Sequence, residues 1–120
     1  MMTVQQIADR LVELSRKMES TQAYRELFAE NASSHEMPGI PRGDVSGLDT
    51  LIAKSEAYDD GMTVHGIEVT EPLVYHQFFT VGMSIDVTKQ DGDRVQEHEI
   101  CVYEVRNGKI ISERFIYSMS

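Results

Sequence analysis

The stretch Glu97–Tyr117, EHEICVYEVRNGKIISERFIY, decides the fold. Two alternating apolar runs flank Asn107-Gly108, the strongest short hairpin signal a sequence can carry. With those two residues as the turn, Arg106 pairs with Lys109, Glu104 with Ile111, Val102 with Glu113, Ile100 with Phe115 and His98 with Tyr117. One face then holds His98, Ile100, Val102 and Glu104 against Ile111, Glu113, Phe115 and Tyr117. It is mostly apolar with ionisable groups set into it. Upstream, Phe79, Val81, Met83, Ile85 and Val87 alternate without a fault, and Asp91-Gly92 supplies a second hairpin turn. A two-residue turn there sets Ile85 opposite His98, Met83 opposite Ile100 and Val81 opposite Val102, so both turns select the same face. A bulge would shift this register by one residue and turn a strand over. The opposite face would carry Thr80, Ser84, Asp86, Glu97, Glu99, Tyr103, Ser112 and Arg114, mixed enough for a second subunit to cover.

N-terminal to the strands the period is helical. Val4, Ile7, Ala8, Leu11, Leu14 and Met18 form a stripe over residues 3–19. Ser20 or Thr21 caps a second helix carrying Ala23, Tyr24, Leu27 and Phe28, ending near Glu30-Asn31. A short extended piece, Ala32 to Met37, runs into a loop enforced by Pro38, Gly39, Pro41 and Gly43. Ser46, with Asp49 three residues on, reads as a capping box opening a third helix that stops at Asp59-Asp60-Gly61. Strand-like runs at 64–69 and 73–76 are broken by Pro72. The expected architecture is α+β, three helices packed on a curved antiparallel sheet.

A chain of 120 residues with this pattern reads as one domain over 1–120. Eleven basic residues against twenty acidic ones give a net charge of −9, which repels phosphate backbones and anionic lipid, so neither nucleic acid nor a membrane is the expected partner. No apolar run reaches the roughly 18 residues of a spanning helix, and the N-terminus has no signal-peptide core. Cys101, the single cysteine, favours a reducing compartment, so a soluble cytoplasmic protein is expected.

The order of elements resembles the SnoaL-like branch of the nuclear transport factor 2-like superfamily. The most telling pieces are Phe28-Ala29-Glu30-Asn31-Ala32 leading to His35, the loop through Gly43, and Val105-Arg106-Asn107-Gly108-Lys109-Ile110. The resemblance implies a cone with a pocket at its open end and a homodimer formed through the outer face of the sheet. It also implies a range of activities, from polyketide cyclases, isomerases and dehydratases to binding modules without catalysis. A ketosteroid isomerase places its proton-shuttling carboxylate on the short strand after the second helix, where this chain has Glu36 with His35 beside it. The isomerase's two oxyanion-hole donors fall by approximate alignment at Val12 and Val102, so the resemblance does not extend to that device.

Among the candidate groups, Glu113 stands out. A carboxylate among apolar neighbours is costly to ionise, so its pKa rises and it can exchange a proton near neutral pH. The alternative is a rim position paired with Arg106 or Lys109. His98 beside Tyr117 offers a group with a reference pKa of about 6.5 for acid–base or orienting work, or else a satisfied half-buried side chain. His35 and Glu36 are adjacent, so only one enters the cone; the isomerase-like placement favours Glu36 as catalytic and leaves His35 as a binding candidate. Tyr24, Phe28, Phe79, Met83 and Phe115 are candidate walls for a small hydrophobic ligand, core and wall at once. The four histidines and one cysteine show no metal-ligand spacing, and phosphate loops, nucleophile elbows and cofactor fingerprints are absent, so no metal or cofactor is expected. The functional expectation is cofactor-independent isomerisation, cyclisation or dehydration of a small hydrophobic substrate. The alternative is a non-catalytic ligand-binding or dimerisation module.

Overall fold

The computed structural model describes residues 1–118. Its elements run α1 (Val4–Arg16), α2 (Ser20–Leu27), β1 (Phe28–His35), β2 (Asp44–Ser46), α3 (Leu48–Asp59), β3 (Thr63–Val69), β4 (Leu73–Tyr75), β5 (Phe78–Thr88), β6 (Arg94–Arg106) and β7 (Lys109–Ile116). The sheet order is β2-β1-β7-β6-β5-β3, with β4 on β5. Neighbours are antiparallel except β1 and β7, which run parallel, so the sheet is mixed and not wholly antiparallel as expected.

Helix α1 opens on a capping box in which Thr3 accepts from the Gln6 backbone N–H and Gln6 accepts from that of Thr3, which satisfies two donors of the first turn. Its buried stripe, Ile7, Ala8, Leu11, Val12 and Leu14, packs with Leu27, Leu51, Phe79, Val81 and Ile110 to form the core. Phe79 and Tyr103 stack with ring centroids 4.8 Å apart, an arrangement that adds about 1 kcal/mol to the burial of both rings. Two boundaries differ from expectation. Helix α2 stops at Leu27, because Phe28 is already extended and buried at the start of β1. Helix α3 has Gly47 as its N-cap and no side-chain cap, since Ser46 pairs with Ser33 in β2.

The hairpin register is corrected at both turns. Asn107 (φ 52°) and Gly108 (φ 75°) are both left-handed, as a two-residue type I′ turn requires, and Arg106 pairs with Lys109 as expected. Two residues on, a bulge leaves Ile111 without a partner: Val105 pairs with Ile110, but Glu104 pairs with Ser112. Beyond it Tyr103 faces Glu113, and Cys101 faces Phe115. The β5–β6 turn is likewise one residue longer than expected. Gly92, at φ 94°, closes a turn in which its N–H donates to the Lys89 carbonyl, and Val81 pairs with Cys101, Met83 with Glu99 and Ile85 with Glu97.

The consequence falls on β6 and on the start of β7, where Ile110 enters the core in place of the expected Ile111. A one-residue slip exchanges the faces of a strand, so Cys101, Tyr103 and Val105 point into the core, while His98, Ile100, Val102 and Glu104 lie on the outer side. The two slips cancel on β5, whose Phe79, Val81 and Val87 are buried as expected.

Candidate functional site

The inner face of the sheet becomes polar away from the core. Parity along β7 sends Glu113, Phe115 and Tyr117 inward, and parity along β1 sends Ala32 and Ser34 inward with Glu36 just past the strand end. Ser34 and Glu113 are direct cross-strand partners on the parallel pair β1–β7. Both are buried, Ser34 at 0% and Glu113 at 3% exposure, polar residues in an otherwise apolar core.

Glu113 is held by donors. The Tyr24 hydroxyl of α2 donates to its Oε2 at 2.7 Å, and Ser34 stands beside it at the paired position on β1. Burial nevertheless dominates and pushes the Glu113 carboxyl up to about 7; the two hydroxyls and the Lys54 ammonium pull the other way, and the Glu36 charge adds to the rise. Lys54 comes from α3: its Nζ donates to Ser34 Oγ at 3.1 Å, lies 3.6 Å from Glu36 Oε1, and sits 5.6 Å from the centre of the Phe115 ring. The other Glu36 oxygen, Oε2, is buried and accepts no hydrogen bond among the described residues.

A second acid lies alongside. Burial pushes Glu99 up to about 7, against a hydrogen bond from Cys101, whose Sγ is 3.6 Å away, and the charges of Glu36, Glu97 and Glu113 raise it further. Glu97 lies two residues before it on β6, with one oxygen bound by the Tyr58 hydroxyl at 3.2 Å and the other, Oε1, buried without a hydrogen-bond partner among the described residues. Tyr58 and Glu97 border a surface cleft of about 360 Å³ that also touches Met62 and Lys89. A larger cleft, about 520 Å³, lies at Met1, Met2 and Asn107–Lys109 and has none of these acids in its wall.

Of the residues singled out from the sequence, the structure gathers Glu113, Glu36, Tyr24, Tyr117 and Phe115 on the inner side, with the Glu36 charge next to Tyr117. Met83 is half-buried and packs against the core from β5. Phe28 and Phe79 are core, 4% and 1% exposed. His98 is displaced by the β6 slip: it is exposed, with Nδ1 2.8 Å from Ser84 Oγ on the outer face, and does not meet Tyr117. His35 also turns away, bridging Asp44 Oδ1 and Ser33 Oγ at 2.9 Å each. The described residues contain no cluster of three or more metal-ligating side chains.

Sequence reasoning missed Ser34, Lys54, Glu97 and Glu99. The last two were assigned to the outer face by the register error. Lys54 had a visible signal, since it falls three residues after the buried Leu51 and so on the inward side of α3.

The family model for the SnoaL-like domain matches residues 2–117. A protein from Mesorhizobium loti, provisionally assigned as a SnoaL-like polyketide cyclase and a carbohydrate phosphatase, is 33% identical; the match covers 97% of this chain and 100% of that one, with a TM-score of 0.92. Two more distant structures share the fold. One, from Catenulispora acidiphila, has a ketosteroid isomerase-like fold and was solved with trimethylamine (14% identity, 95% and 86% coverage, TM-score 0.75). The other, from Streptomyces galilaeus, is provisionally assigned as a hydroxylase (12% identity, 97% and 89% coverage, TM-score 0.72). No curated protein matches the chain.

Proposed function

Because the chain belongs to the SnoaL-like domain family, we propose that it binds a small hydrophobic carbonyl or cyclic compound on the inner face of its sheet and moves a proton on it with Glu113. The observation that carries this reading is a carboxyl 3% exposed, bound by Tyr24 and paired across the strands with Ser34, which burial pushes up to about 7. At neutral pH such a group is populated in both forms, so it can take a proton from a carbon and deliver it to another carbon, to an alkoxide oxygen or to a departing hydroxyl. That is the core of isomerisation, of aldol-type cyclisation and of dehydration, and none of these steps requires a cofactor. Glu36 and Glu99 are the second carboxyls, Tyr117 orients the ligand, and Phe115 and Met83 supply apolar wall. Four carboxyls against one ammonium disfavour an anionic ligand and favour a neutral one or one with N–H donors for Glu36 Oε2 and Glu97 Oε1.

The homodimer belongs to the same proposal. Leu73, Ile100 and Ile116 stand 67%, 51% and 42% exposed on the outer side of the sheet, and burying them against a second copy removes apolar area from water. The second reading is a binding module without catalysis. Its support is that Val12 is core and Val102 lies on the outer face, so neither position offers an oxyanion donor.

Solvent-deuterium exchange separates the two. A panel of small cyclic ketones is incubated with the protein in D₂O and the α-protons are followed by NMR. Catalysed exchange lost in Glu113→Gln supports the proposal; binding without exchange across the panel supports the module.

A further inference from the structure

The proposed acid–base role leaves open how the Glu113 proton is directed. Three groups meet it in sequence. Tyr24 donates to Oε2, Ser34 is buried at the position paired with Glu113 on the neighbouring strand, and Lys54 Nζ donates to Ser34 Oγ at 3.1 Å. A hydroxyl has one proton and two lone pairs, whereas an ammonium can only donate. With Lys54 occupying one lone pair of Ser34, the Ser34 proton is free to turn toward Glu113, and Ser34 need not accept the proton of the acid.

We infer that Lys54 is a positioning residue that acts on Glu113 through Ser34: by fixing the hydroxyl as a donor, it turns the carboxyl's own proton toward the ligand side of the sheet. The inference rests on the acid–base reading of Glu113. Lys54 is itself placed, its ammonium lying 3.6 Å from Glu36 Oε1 and over Phe115, so it approaches Ser34 from a fixed direction. The other groups around Glu113 are accounted for. Glu36 beyond β1 and Glu99 on β6 carry negative charge, while burial holds Tyr24, Cys101 and Tyr103 protonated. Lys54 is the cation whose charge favours the ionised carboxylate, and it acts both directly and by way of the Ser34 bond.

The test is the titration of the Glu113 side-chain carboxyl by carbon-detected NMR in the full chain, in Lys54→Met, Lys54→Arg, Ser34→Ala and the Lys54→Met/Ser34→Ala double variant. Lys54→Met keeps the apolar stem over Phe115 and removes the charge and the donor. The expected result is an upward move of the Glu113 midpoint in Lys54→Met, its retention near wild type in Lys54→Arg, and a smaller effect of Lys54→Met once Ser34 is Ala. An unmoved midpoint in Lys54→Met overturns the inference. So does an equal move with and without Ser34, which would leave only a direct charge effect. The Lys54 comparison reads a shift whatever the starting midpoint; a wild-type value near 4.5 refutes the acid–base reading itself.

Discussion

Replacing Glu113 by Gln removes a titrating group at nearly constant volume, and the structure fixes how stability responds. The carboxyl stands at about 7 in the fold against 4.5 for the free group. A difference of about 2.5 units at ~1.36 kcal/mol each is about 3 kcal/mol. The sign follows from proton binding. Between these values the unfolded chain has released the proton that the folded chain retains, so the contribution is fully present below pH 4.5 and is lost as pH rises through about 7. Glu113→Gln does not lose it. Urea unfolding followed by circular dichroism, at pH 4.5 and at pH 8, yields the difference between variant and wild type. That difference should move by about 3 kcal/mol in favour of the variant across the range. The slope contributed by Glu99 is shared by both proteins except for the small part that the Glu113 charge adds to its rise. A variant that is several kcal/mol less stable at pH 8 refutes the reasoning, because Glu113 would then be the anionic half of a structural ion pair with Lys54.

Two further outcomes are expected. Glu99→Gln should flatten the same stability–pH curve, since burial holds that carboxyl near 7 as well; a urea series that overlays wild type at every pH contradicts this. Light scattering at micromolar concentration should return the mass of two chains, and Ile100→Glu, on the outer side of β6, should return one; a wild-type monomer sinks the interface.

The first helix, the Asn107-Gly108 turn and the inward face of β5 were legible because each is written in local chemistry: an apolar stripe from Val4 to Met18, a dipeptide that accepts two left-handed residues, nine residues of clean alternation. The inner face of β6 was not. Its reading depended on the register at both turns, and an extra residue in the β5–β6 turn and the bulge at Ile111 each moved β6 by one residue and so exchanged its faces. The two turns therefore agreed with each other on the wrong face, since alternation on β6 (Ile100, Val102 against Cys101, Tyr103) is apolar on both sides and cannot arbitrate. Glu113 survived because it lies beyond the bulge in phase with Phe115. His98 did not, because its placement was wholly a matter of register. The Lys54–Ser34 pair was out of reach for a different reason: it joins α3 to β1 across the fold, and no local spacing encodes it.

All of this turns on whether Glu113 is a tuned acid. The direct measurement is the carbon-detected NMR titration of its side-chain carboxyl in the unmodified full chain, assigned by the signal that Glu113→Gln removes. The expected midpoint is near 7. A midpoint near the free-carboxyl value of 4.5 would contradict it and leave the inner face a ligand-binding surface without an acid–base centre.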